Sequence, residues 1–139
     1  MTNQDHAFRL LGLAWGNGAA KVIREETKSL AALQRADGGW SQLPAMASDA
    51  YATGEALFAL GSAGVMPVSD PVFRKGIEYL LSTQATDGSW HVKSRSIWLQ
   101  PYLESGFPYE RDQFISTAGT AWATLALTLT ANPTKQSRR

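Results

Sequence analysis

Groups able to do chemistry are few in this chain, and their spacing limits what they could do. There is no cysteine, which removes thiol nucleophiles, disulfides and thiolate metal sites. His6 and His91 are the two histidines, and neither stands in a cluster that could supply the three or more ligands of a zinc site. No metal and no cofactor is therefore expected. Asp49 stands directly before an apolar stretch, DAYATGEALFAL, where a short carboxylate acts as a helix N-cap. Residues 91–114 hold a dense mixture of polar and aromatic groups: Arg95, Trp98, Gln100, Tyr102, Glu104, Tyr109, Glu110, Arg111, Asp112 and Gln113. Aromatics among paired charges suit a binding surface. They equally suit a long loop that covers the open end of a helical stack and satisfies its own charges.

The elements that must position these residues come from an internal repeat. Residues 75–90 read KGIEYLLSTQATDGSW, and residues 30–40 read LAALQRADGGW. Gln34 and Gln84, Asp37 and Asp87, Gly38 and Gly88, and Trp40 and Trp90 are all 50 positions apart. A fixed offset carried by such residues marks a repeat architecture. A second match lays ATGEALFAL, residues 52–60, over GTAWATLAL, residues 119–127, at an offset of 67. The extra length lies in the connection after Trp90.

Periodicity and capping signals predict five helices. Residues 6–15 form the first, capped by Asn3 or Asp5 and ended by Gly16-Asn17-Gly18. Residues 19–34 form the second, with Ile23, Thr27, Leu30 and Gln34 inward and Lys21, Arg24, Glu25 and Lys28 outward. Ser48 or Asp49 caps the third, which runs to Leu60, is apolar or small nearly all round and is therefore buried. Ser69-Asp70-Pro71 opens the fourth, with Phe73, Ile77, Leu80, Leu81 and Gln84 buried. Ser116 or Thr117 opens the fifth, which Pro133 stops. A small-residue helix alternates with an amphipathic one, so the unit is an αα-hairpin and the fold is all-α.

Composition sets the outer limits. With 139 residues, 44% of them hydrophobic, the chain can build one domain with a core. A formal net charge of +1 gives no field that would favour nucleic acid. The N-terminus lacks a basic region followed by an apolar run, so no signal peptide is read. Residues 117–131 are shorter than the ~20 that span a bilayer and read as a buried helix rather than a transmembrane segment.

The pattern Lys75-Gly76-x-x-Tyr79-Leu80-x-x-x-Gln84-x-x-x-Gly88-x-Trp90 resembles the QW motif of the squalene and oxidosqualene cyclases. That superfamily also contains the protein prenyltransferase β subunits. Residues 30–40 resemble a second copy, with Glu25-Glu26 in place of the opening Lys-Gly. The resemblance implies a partial α/α toroid: a single repeat domain over residues 1–139, about two and a half hairpins, forming the C-terminal part of a larger protein. It implies that Gln34, Trp40, Gln84 and Trp90 join neighbouring repeats. The cyclases carry an Asp-x-Asp-Asp cluster before an inner helix. Here the comparable place is Asp49-Ala50-Tyr51-Ala52, so Asp49 alone matches it, as a cap or as a lone candidate acid. The prenyltransferases bind zinc through Asp, Cys and His, and this chain has no comparable set.

The resemblance therefore implies a binding or assembly domain that is not an enzyme on its own. Its partners would be other repeats or domains of a parent protein, or a second copy. The alternative is part of a terpene cyclase or prenyltransferase-like enzyme. There Tyr51, Phe58, Trp98 and Trp122 would line an apolar cavity for an isoprenoid and stabilise cations through their ring faces. Tyr102 and Arg111 on the long connection complete the expected binding residues.

Overall fold

A computed structural model describes residues 1–97 and 101–131. It contains five α-helices: α1 (Asn3–Trp15), α2 (Ala20–Ala31), α3 (Ala50–Ser62), α4 (Pro71–Thr83) and α5 (Gln113–Ala131). Among the described residues there is no strand, only an isolated bridge between Trp40 and Asp49. Helices α1, α3 and α5 lie side by side as an inner layer, and α2 and α4 pack behind them as an outer layer. The core between the layers is built from Leu10, Leu30, Trp40, Leu57, Leu60, Phe73, Leu80 and Trp90, with Ala52, Ala56, Ala59, Ala123 and Ala126.

Small residues allow the inner layer to close up. A Cβ on Gly54 of α3 would stand 2.5 Å from the Ala123 nitrogen and 2.5 Å from the Trp122 carbonyl carbon of α5. On α5, a Cβ at Gly119 would stand 2.5 Å from Val92 and 3.3 Å from the Tyr51 nitrogen. The two backbones therefore touch directly, and only glycine fits at these contacts.

The turns after α2 and α4 have the same construction. Gly38 and Gly88 adopt left-handed φ of 88° and 87°. Asp37 and Asp87 accept from the amides of Gly39 (3.0 Å) and Ser89 (2.9 Å). The indole N–H of Trp40 donates to the Leu30 carbonyl at 2.9 Å, and that of Trp90 to the Leu80 carbonyl at 2.8 Å. The backbone amides of the same tryptophans donate to Thr53 (2.9 Å) and Thr120 (3.0 Å) on the next inner helix. Each turn thus ties an outer helix to the inner helix that follows.

Several boundaries differ from the sequence expectation. Helix α1 starts at Asn3, because Thr2 and Asp5 cap it reciprocally. Asn3 is buried instead, donating to the Ala52 carbonyl at 3.1 Å. Helix α2 ends at Ala31 rather than Gln34, and the Gln34 amide reaches past it, donating to Gly38 (2.9 Å) and to Val72 of α4 (2.8 Å). Leu81 and Gln84 are exposed rather than buried, since no described element covers that side of α4. Helix α5 starts at Gln113, after a 3-10 turn over Glu110–Asp112. Ser116 is not its cap: its hydroxyl receives the Val92 amide at 2.9 Å. The helical stretch Glu110–Ala131 has 22 residues and is long and apolar enough to cross a bilayer by length and composition, and 22% of its most apolar window is buried. It is therefore longer and more exposed than the sequence suggested, although its Gly119–Ala123 side is packed on α3.

One charged position has no counterpart in the second repeat. Glu26 stands 50 positions before Gly76 and is buried between α1 and α2. Its carboxylate meets His6 Nδ1 at 2.5 Å and Arg9 Nε at 3.3 Å. Two partners from α1 compensate a charge that would otherwise be costly to bury.

The backbone contact between α3 and α5 gives a direct test. Gly54→Val should lower stability by several kcal/mol, since neither backbone can move away without breaking the layer. Gly12→Ala, on the open side of α1 where a Cβ meets nothing within 4 Å, should raise it by about 0.5–1 kcal/mol. Thermal melts of the two variants measure both; equal effects would contradict the packing.

Candidate functional site

The inner layer carries its aromatic groups on one side, away from α2 and α4. On α3, Tyr51, Glu55 and Phe58 fall on one face at helical spacing. Trp122 of α5 stands beside this face: its ring centroid is 5.7 Å from that of Phe58 and 6.3 Å from that of Phe8 on α1. The Phe8 ring meets Trp122 edge-on at 79°. One ring from each inner helix therefore builds a continuous aromatic wall, and Phe8 is half exposed. Edge-to-face and tilted contacts of this kind hold rings in place and leave π-faces open to an apolar or cationic guest.

Phe58 and Trp122, two of the expected cavity residues, are thus brought together. Tyr51 lies two turns back along α3 from Phe58, where its hydroxyl receives Gln4 Nε2 at 3.0 Å; burial, and then the nearby Glu55, raise its pKa. Phe8 was not among the expected residues. Its signal was present, since Phe8 and Trp15 are apolar positions on α1 that flank the buried stripe of Ala7, Leu10 and Leu11. The periodic core residues masked it.

Asp49 caps α3. Its Oδ1 accepts the Ala52 amide at 2.8 Å and its Oδ2 accepts Gln42 Nε2 at 2.8 Å. Burial raises its pKa, and the Ala52 amide and Gln42 oppose the shift. A cavity of ≈ 570 Å³ opens beside it, walled by Met46, Ser48, His91, Lys93 and Arg95 among others. Asp49 is thus a half-buried carboxylate with both oxygens engaged, at the mouth of a cavity rimmed by two cationic side chains.

The long connection after Trp90 is held by its own contacts. Asp112 accepts His91 Nε2 at 2.7 Å and the Ser94 amide at 2.8 Å. His91 stacks on Tyr109 at 4.7 Å. The buried Gln113 donates to the Leu103 carbonyl at 2.8 Å and accepts from Ser105. Tyr102 donates to Glu104 at 2.5 Å and is half exposed. Arg111 lies in the 3-10 turn at the start of α5. Trp122 is roughly 16 Å further along the chain, at ~1.5 Å per residue, so Arg111 belongs to a different end of the layer from the aromatic wall. Trp98 and Gln100 lie outside the described residues. No group of three or more His, Cys, Asp or Glu able to hold a metal occurs among the described residues.

Glu55, the one charge inside α3, was not among the expected site residues. It is 1% exposed. Asn3 Nδ2 donates to its Oε2 at 3.3 Å, while Glu55 Oε1 and Asn3 Oδ1 have no hydrogen-bond partner among the described residues. Burial pushes the Glu55 pKa up to about 7, against the opposing hydrogen bond from Asn3. The neutral acid suits this place, because a proton on the carboxyl supplies a donor where two acceptors lack one.

This shift has a definite sign. Between pH 4.5, the ordinary value for the group, and pH 7, the unfolded chain releases this proton while the folded chain keeps it. The native state therefore loses stability as pH rises through that window, by a total on the order of 3 kcal/mol. Glu55→Gln should be little changed at pH 4.5 and more stable than the parent at pH 8. Parallel thermal melts across that range check it, and a pH-independent difference would contradict it.

Comparison with known proteins agrees with this architecture. The squalene-hopene cyclase C-terminal domain family matches residues 4–139. The squalene–hopene cyclase of Bradyrhizobium diazoefficiens is 35% identical over 98 residues, which is 63% of this chain and 14% of that protein. A probable squalene–hopene cyclase of Sinorhizobium fredii is 35% identical over 109 residues, 78% of this chain and 16% of the relative. The drimenyl diphosphate synthase of Streptantibioticus cattleyicolor is 32% identical over 92 residues, 66% of this chain and 16% of the relative. The chain thus spans a small part of the length of these relatives. No solved structure gives a significant match. The family match runs over nearly the whole chain and the two-layer helical stack agrees with it: the chain belongs to the squalene–hopene cyclase C-terminal domain family.

Proposed function

We propose that this chain is a binding and assembly module of a larger cyclase-type protein, in which its inner layer forms one wall of a cavity for an apolar isoprenoid. The observation that carries the reading is the three-ring wall of Phe8, Phe58 and Trp122, one ring from each inner helix. Such a wall offers apolar area and π-faces together, which suits an unsaturated hydrocarbon chain. Squalene, named in two of the relatives, is a molecule of that kind. In this reading the chain does not supply the proton that starts a cyclisation. Asp49 stands without neighbouring carboxylates in Asp49-Ala50-Tyr51-Ala52, and both its oxygens accept hydrogen bonds within the fold.

A second reading makes Asp49 the acid of a catalytic part. It draws on the half-buried position of Asp49 at the mouth of the ≈ 570 Å³ cavity, where burial raises its pKa.

Thermal melts with and without detergent-dispersed squalene separate the two readings, with hexadecane as an apolar control. On the binding reading, squalene raises the melting temperature more than hexadecane does. Trp122→Ala and Phe58→Ala remove that increment, whereas Asp49→Asn keeps it with little change in baseline stability, because asparagine caps a helix as well as aspartate does. No increment over hexadecane would overturn the binding reading. Conversion of squalene that Asp49→Asn abolishes would replace it with the catalytic one.

A further inference from the structure

The cavity beside Asp49 lies between the connection after Trp40 and the connection after Trp90. Residues 45–49 form one wall and residues 91–95 the other. At the offset of 50, residues 91–95 correspond to Ser41-Gln42-Leu43-Pro44-Ala45, which carry no charge. In the second copy they are His91-Val92-Lys93-Ser94-Arg95. The first repeat builds the same turn without these cations, so the scaffold does not require them.

Exposure alternates along the second wall. Val92 is fully buried, while His91, Lys93 and Arg95 are exposed, with the period of an extended chain. The buried side fixes the segment. Ser116 accepts the Val92 amide at 2.9 Å and donates to the Val92 carbonyl at 3.2 Å. Asp112 accepts the Ser94 amide at 2.8 Å and holds His91 Nε2 at 2.7 Å. Lys93 and Arg95 are left over. Neither is in a salt bridge among the described residues, and Arg95 reaches Gln4 at 3.5 Å. The Ser94 hydroxyl accepts the Ser96 amide at 3.2 Å, and its own proton has no acceptor among the described residues. This wall presents donors and positive charge.

The first wall presents acceptors. Ser48 spends its proton on Asp37 at 2.9 Å, which leaves its oxygen lone pairs. Asp49 accepts the Ala52 amide and Gln42, and a carboxylate has about four acceptor sites. Arg95 lies near enough to oppose the rise in the Asp49 pKa, yet the two do not pair. A plain anion would satisfy Lys93 and Arg95 and leave Asp49 facing a like charge. A cation would meet Lys93 and Arg95. A hydrocarbon chain would strip water from both walls and return no hydrogen bond.

We propose that this cavity binds a small polyhydroxylated anion, with its acidic group on Lys93 and Arg95 and its hydroxyls donating to Asp49 and Ser48. Sugar phosphates and sugar acids share this chemistry. The volume of ≈ 570 Å³ lies within the range of small-molecule sites, ~300–1,000 Å³. The Arg95 guanidinium can take two oxygens of either acidic group at once. The site is separate from the aromatic wall, because Phe58 is nine residues beyond Asp49, roughly 13 Å along α3 at ~1.5 Å per residue. No isoprenoid is involved, so squalene binding and this site can fail independently.

Calorimetric titration of the full chain with glucose 6-phosphate and with glucuronate tests the proposal, with glucose, inorganic phosphate and glutamate as controls. At least one of the two hydroxylated anions should bind saturably, and the one that binds identifies the acidic group as phosphate or carboxylate. Binding should weaken as salt is raised. Lys93→Gln and Arg95→Gln, exposed changes outside the core, should each weaken it by about three- to tenfold. Asp49→Asn keeps the helix cap and should weaken binding with little change in the melting temperature of the free chain. Absence of saturable binding of either anion would overturn the proposal. So would glucose or inorganic phosphate binding as tightly as the hydroxylated anion, glutamate binding more tightly, or an affinity unchanged in the Lys93→Gln, Arg95→Gln double variant.

Discussion

The structure depends on a small hydrogen-bonded turn that does two jobs at once. After each outer helix the chain reverses through a left-handed glycine, and the following tryptophan returns its indole N–H to a carbonyl on the helix just left. The backbone amide of that tryptophan meanwhile donates to a threonine on the inner helix ahead. A buried tryptophan can contribute large apolar area only if its one donor is satisfied, and here the preceding helix satisfies it. The glutamine adds a link sideways, to the next outer helix. Helices of 12 or 13 residues would be marginal alone in water; held at both ends in this way they become one stack.

Much of this was legible in the sequence because it is periodic. The offset of 50 marks positions with identical geometry in both copies, down to hydrogen bonds that agree within about a tenth of an ångström: Gln34 and Gln84 with their turns, Trp40 and Trp90 with Leu30 and Leu80. Asp70-Pro71 and Asp49 likewise mark their helix starts through local capping chemistry. What could not be read is what depends on contacts distant in sequence. Asn3 looked like a cap and is drawn inward by Ala52 and Glu55. Leu81 looked like core, yet the element that would cover it is not among those described. Ser116 looked like a helix start and is committed to Val92 instead.

The candidate site divides in the same way. Phe58 and Trp122 could be paired in advance because they sit in matched inner helices. Phe8 could not, because α1 shows no clear register with α3 in sequence and its inward pattern dominates. Glu55 and Glu26 are the strongest cases. Nothing in the sequence sets either apart from the other charges on the helices, and both are buried, in different ways. Glu26 is in direct contact with His6 and Arg9, whereas Glu55 has only the Asn3 amide against its carboxyl and is accommodated as the neutral acid.

The contact of Gly54 with the backbone of α5 bears on how such a wall can change over evolutionary time. Because the spacing between α3 and α5 is set by main chain touching main chain, it does not depend on the size of any side chain facing the cavity. Substitutions at Phe8, Phe58 or Trp122 can alter the contour offered to a guest while the helices stay where they are. The scaffold and the surface it displays are mechanically uncoupled, so a new specificity can be tried without refolding the frame that carries it.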